Sequence, residues 1–116
     1  MAIRAQVRLT AGAEHDLSGI YRRRLAQRGS DGSDGAGALL DRLVAAIEGL
    51  AEWPQRRPVP PELESVGIMT YRQHSLPPFR LIYLPEDGAE GPLVTVLIIA
   101  DARRDFRTLL EERLLR

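Results

Sequence analysis

The sequence predicts an α+β fold in the order β-α-α-β-β-β-α: an antiparallel sheet with a helical hairpin packed on one face, followed by a C-terminal helix. A period-two apolar alternation opens the chain, and two helical patterns separated by a glycine-rich stretch come next. Three β-type runs with short connections then lead into a last amphipathic segment. Strands joined so closely must run as an antiparallel meander, because a parallel pair needs a crossover of about a dozen residues or more. At 116 residues the whole chain, 1–116, has the size of one domain with one core.

In residues 3 to 9, Ile3, Ala5, Val7 and Leu9 alternate with Arg4, Gln6 and Arg8, as in a strand with one face buried. Thr10 then caps a helix whose stripe is Ala13, Leu17, Ile20, Tyr21 and Leu25, with Glu14, Asp16, Arg22 and Arg23 facing elsewhere. Gly29 ends it. The stretch "GSDGSDGAG", residues 29 to 37, has too little apolar content to pack and reads as a loop between helices. The second helix carries Leu39, Leu40, Leu43, Val44, Ile47, Leu50 and Ala51 at helical spacing, and Pro54 forces its end near Trp53.

"PQRRPVPPELES" holds four prolines between Pro54 and Pro61, which predicts a stiff, extended connection in place of a helix or central strand. From Ile68 to Ser75 a strand is expected, with Ile68, Thr70, Arg72 and His74 on one face, and Pro77 and Pro78 make the turn after it. "FRLIYL" (79 to 84) is the next strand, and "PEDGAEGP" interrupts the pattern before "LVTVLIIA", the most apolar strand, which belongs in the sheet centre. Asp101 is the expected N-cap of the last helix, where Phe106, Leu109, Leu110 and Leu114 recur at helical spacing.

Sixteen basic and sixteen acidic residues give a formal charge of zero, so no global field draws the chain to nucleic acid or to an anionic membrane. Every basic residue is arginine, whose planar, permanently charged fork suits carboxylate or phosphate. The absence of cysteine excludes disulfides and thiolate metal sites, and two distant histidines make a poor metal set, so neither metal nor cofactor is expected. The N-terminus alternates where a signal peptide or membrane anchor would be continuously apolar, which predicts a cytoplasmic protein.

Four stretches, "VRLTAGAEHDLSGIY", "LLDRLVAAIEGLAEWPQ" with its proline-rich exit, "PFRLIYL" and "LVTVLIIADARRDF", together resemble the RelE/ParE superfamily of bacterial type II toxin–antitoxin toxins. The resemblance spans nearly the whole chain. It implies one of two activities: cutting messenger RNA on the ribosome, or poisoning DNA gyrase. Either way it implies a cognate antitoxin as partner in a hetero-oligomer, with a partner segment folding across the helical hairpin and sheet edge at Leu17, Ile20 and Tyr21.

Cutting RNA with its own 2′-hydroxyl needs a base, an acid and cations for the phosphorane, and arginine can supply only the last. Arg72, His74 and Arg80 are the candidates, since the expected alternation puts Arg72 and His74 on one face with Arg80 on the neighbouring strand. The alternative is that the two arginines pair with acidic side chains and that His74 is a surface residue beside a turn. Many ribonucleases of the superfamily place a histidine or tyrosine just beyond the last strand; here Asp101, Ala102, Arg103 and Arg104 stand there, with Phe106 in place of a titratable ring. The departure favours the ParE-like branch, which grips a protein, with Arg103, Arg104 and Arg107 offered to an acidic surface on gyrase or on the antitoxin. A solvated helix face paired with Asp105 and Glu111 remains the alternative for those arginines. A relative that only binds its antitoxin is a third reading.

Overall fold

A computed structural model describes residues 4–114, so Ile3, at the start of the first expected strand, lies outside the described residues. The first strand, β1 (Gln6–Leu9), keeps the expected alternation in its exposure. Thr10 follows it as an N-cap, its hydroxyl accepting the Ala13 N–H at 3.1 Å, and opens α1 (Ala11–Arg28). Ala13 and Ile20 are buried, Leu17 and Tyr21 are half-buried, and Leu25 stands 41 % exposed, so the apolar stripe fades towards the C-terminal end of the helix. Gly29, at φ 72°, ends the helix in a conformation that penalises a side chain.

α2 (Ala36–Gly49) buries Leu39, Leu43 and Ile47. It stops earlier than expected: Trp53 takes a left-handed conformation at φ 51° and a single 3-10 turn follows at Pro54–Arg56. The proline-rich connection is not extended throughout. Pro61 begins a one-turn helix, α3 (Pro61–Glu64), because its fixed φ suits the first helical position and its missing N–H costs nothing there. That turn drives Leu63 into the core.

β2 (Arg72–Leu76) is shorter than expected, since the chain turns through Gly67 and folds Ile68 back so that its N–H bonds the Leu63 carbonyl. β3 (Phe79–Gly88) and β4 (Gly91–Asp101) run straight through most of "PEDGAEGP" and form one long hairpin closed at Gly88 and Gly91. The expected interruption was wrong because Pro85 fits a strand whose pairing with Val94 does not need its N–H. The sheet order is β1-β4-β3-β2, antiparallel through the meander, with β1 added in parallel beside β4, which places the most apolar strand in the interior.

The sheet separates two apolar clusters. Leu81, Tyr83, Val94, Val96 and Ile99 pack with α1 and α2 on one face, while Ile82, Ile98 and Ala100 pack with Leu63 and α4 (Phe106–Leu114) on the other. A register shift opposite Ile82 and Tyr83 inserts Leu97 as an extra residue in β4, which turns Ile98 to the α4 face. The cap of α4 is Asp105, whose carboxylate accepts the Thr108 N–H at 3.2 Å. Asp101 does not cap that helix, because its residue still pairs with Phe79 in the sheet and the chain must turn before a helix can begin.

Candidate functional site

The three residues of the cutting hypothesis are not brought together. Arg72 lies opposite Tyr83 and His74 opposite Leu81, both on the face of the helical hairpin, whereas Arg80 lies opposite Ser75 and points to the α3–α4 face. Arg80 holds both Glu62 oxygens at 2.9 Å, bonds Gln73, and stacks over Phe106 with its guanidinium carbon 4.0 Å from the ring centroid. The Glu62 carboxyl is accordingly held below its ordinary range, chiefly by its hydrogen bond to Arg80. Arg72 is spent on backbone, donating to the carbonyls of Met69 (2.6 Å), Tyr71 (3.0 Å) and Gln55 (3.4 Å).

His74 accepts a hydrogen bond at Nδ1 from Arg57 Nε at 3.1 Å. Burial, with the Arg57 charge as the second cause, pushes its pKa below the usual histidine value, so the ring is neutral at pH 7. With Nδ1 accepting, the proton of the neutral ring sits on Nε2. The ring therefore offers a donor outward and has its lone pair already occupied, which is the wrong arrangement for a general base. Tyr83 is buried as well: its hydroxyl donates to the Pro54 carbonyl at 2.6 Å, and burial raises its pKa further. Arg57 was missed at the level of sequence, where it reads only as one of several charges in a proline-rich run.

At the C-terminal end of β4 the chain turns sharply. Asp101 accepts the Arg103 N–H at 2.9 Å and both ends of the Arg103 guanidinium at 3.0 and 2.9 Å. These bonds, the side-chain one first, hold the Asp101 carboxyl at about 2, so it is an anion and not an acid at neutral pH. The turn stands beside α1. Arg103 borders a cavity of about 260 Å³ with Arg23, Arg24 and Gln27, and Arg104 borders a second of about 310 Å³ with Arg22, Arg23 and Arg113. Arg107 does not join them; it lies between α4 and α3, close enough to help stabilise the Glu62 carboxylate. The run "YRRRL" was legible in the sequence, but not its meeting with the 101–104 turn. Of the residues expected to face a partner, Ile20 is buried beneath the hairpin, Leu17 packs partly on the same cluster, and Tyr21 is half-exposed.

Among the described residues there is no cluster of histidine, aspartate and glutamate that could hold a metal ion. None of the helices among the described residues is long and apolar enough to cross a membrane.

The fold has solved counterparts. A chromosomal ParDE toxin–antitoxin system from P. aeruginosa superposes with a TM-score of 0.64 at 18 % identity, covering 84 % of this chain and 96 % of the other. The toxin–antitoxin complex RelBE2 from Mycobacterium tuberculosis gives a TM-score of 0.55 at 20 % identity, covering 85 % and 92 %. No curated protein matches the sequence significantly. Residues 7–106 match the family described as the ParE toxin of the type II toxin–antitoxin system, parDE, and on that match, which covers most of its length, the chain belongs to the ParE toxin family.

Proposed function

We propose that this member of the family acts by gripping its target and not by cutting RNA: it inhibits DNA gyrase in the cytoplasm and is silenced by a cognate antitoxin bound to it in a hetero-oligomer. The observation that supports this reading is the engagement of every candidate for RNA chemistry. Arg80 and Arg72 lie on opposite faces of the sheet and are bound to protein groups, and His74 has no free lone pair to act as a base. Asp101, the carboxyl at the end of the last strand, stays ionised. Arg103 and Arg104 stand exposed on the turn after β4, where an acidic surface of a target can reach them. An antitoxin segment crossing α1 would meet Tyr21 and the accessible part of Leu17, with Ile20 supporting them from beneath.

The test pairs the two activities. Purified toxin is expected to inhibit supercoiling by gyrase and to trap cleaved DNA, while ribosome-bound messenger RNA stays intact. Charge reversal at Arg103 and Arg104 should remove that inhibition with the fold preserved, and His74→Ala should leave it unchanged. Ribosome-dependent cleavage by the wild type, slowed roughly a hundredfold by Arg80→Ala or His74→Ala and with gyrase unaffected, would overturn the proposal. A chain that binds its antitoxin and does neither would be a non-toxic relative.

A further inference from the structure

The two adjoining cavities beside α1 share Arg23 and Asp101 in their linings, and together they make the groove between the helix and the end of β4, considered as one surface. Its most conspicuous charges are Arg22, Arg23 and Arg104, none of which has a carboxylate partner among the described residues. The neighbouring cations are already neutralised, Arg24 by Asp34, Arg103 by Asp101 and Arg113 by Asp16. Gly19 lies in the wall, where a Cβ would come within 3.2 Å of Arg23 Nη1. Three guanidinium groups without a carboxylate partner line one hollow, so an anion entering it is attracted by all three.

We propose that this groove is a docking site for an acidic polypeptide segment, whose side-chain carboxylates are taken by Arg22, Arg23 and Arg104. Planar guanidinium groups match carboxylates two bonds at a time. A nucleic-acid strand suits the groove less well. Its phosphates carry a charge at every residue and would be driven against the Asp16 and Asp101 carboxylates, which lie in the lining; carboxylates on a polypeptide can be spaced to miss them. Among the lining residues the aromatic rings are Phe79, which is 7 % exposed, and His15, so successive bases would find one small imidazole and no run of aromatic rings to stack on. The zero net charge of the chain also supplies no long-range pull on a polyanion. The inference stands on the α1 arginines whatever the target of the toxin is.

The probe is a fluorescein-labelled glutamate-rich peptide followed by anisotropy at low salt, beside its glutamine counterpart and a single-stranded oligonucleotide of equal charge. Saturable binding of the glutamate peptide is expected, weakened by salt and lowered about tenfold or more by Arg23→Glu and by Arg104→Glu. The same reversal at Arg42, an exposed residue of α2 outside the groove, should leave it unchanged. Because Arg23 and Arg104 are exposed, Arg23→Gln and Arg104→Gln serve as milder variants if a reversal disturbs the fold. Absence of saturable binding, equal binding by the glutamine peptide, insensitivity to both arginine positions, or tighter binding by the oligonucleotide would each overturn the proposal. Peptide binding without any effect on gyrase would retain the groove and remove the gyrase reading, and gyrase inhibition without peptide binding would do the reverse.

Discussion

Asp16 on α1 and Arg113 near the end of α4 meet in a two-point ion pair at 2.6 and 3.1 Å, although they stand 97 positions apart in the chain. β1 ends opposite Val96, and beyond that point the edge of β4 needs other partners. Asp16 also accepts the Ile99 N–H at 3.0 Å, and Arg113 donates to the carbonyl of Leu97, the extra residue of β4, at 3.0 Å. One ion pair therefore closes the sheet edge and ties the last helix to the first. Gly12 leaves it room, since a Cβ there would sit 2.9 Å from Arg113 Nη1 and the guanidinium would have to shift.

Asp16→Ala leaves the Ile99 N–H and the Arg113 charge without this partner. The Asp16 side chain is 8 % exposed and that of Arg113 27 %, so the expected loss is about 2–3 kcal/mol, below the range for a fully buried pair because Arg113 can turn to water. A lower urea midpoint with faster amide exchange in α4 is expected; unchanged α4 protection would show that the apolar contacts alone hold the helix.

Leu110 is 1 % exposed among Leu63, Ile82, Ile98 and Phe106. Leu110→Ala should cost about 2–4 kcal/mol, the transfer of the lost atoms plus a cavity between α4 and the sheet. An unaltered unfolding midpoint would mean that α4 does not rest on the sheet in solution.

The two aspartates around the turn should behave differently. Asp105→Ala removes the cap of α4 and should speed amide exchange in 106–110, while Asp101→Ala should loosen the 101–103 turn and leave that exchange unchanged. Asp101 has its folded pKa depressed to about 2 from the ordinary aspartate value of 3.8. Its contribution is therefore fully present above the unfolded value and is lost as pH falls through about 2. Carboxyl titration by NMR checks this, and an Asp101 midpoint near 3.8 would show that the Arg103 contact is not formed in solution.

His74 has its pKa lowered by burial and by the Arg57 charge. In the unfolded chain the ring binds a proton more readily than in the folded one, so the stability it contributes is present above the ordinary histidine value and falls as the solution is acidified through the lower, folded value. His74→Gln should flatten the pH dependence of the unfolding midpoint in that interval. A His74 imidazole titrating at or above the ordinary value would contradict the Arg57 contact.

The hydrophobic periodicity of the sequence by itself determined the α+β class, the helical hairpin, the antiparallel meander and the interior position of "LVTVLIIA", because burial of an apolar face is written locally at the period of the element that carries it. Thr10 and Gly29 were legible as helix ends for the same reason: a cap acts within one turn of the chain. Pro61 and Pro85 were misread, since whether proline starts a helix or sits in a strand depends on which neighbour would have taken its N–H. The fate of the charges was decided only by the tertiary structure. Alternation along β2 correctly put Arg72 and His74 on one face, but the pairing of Ser75 with Arg80 sent Arg80 to the other, and no pattern within either strand specifies that register. Asp16 with Arg113, Arg57 with His74, and the α1 arginines beside the 101–104 turn are meetings of distant segments. Charges interact through space at ångström range, whereas sequence spacing reports only neighbours on the same element.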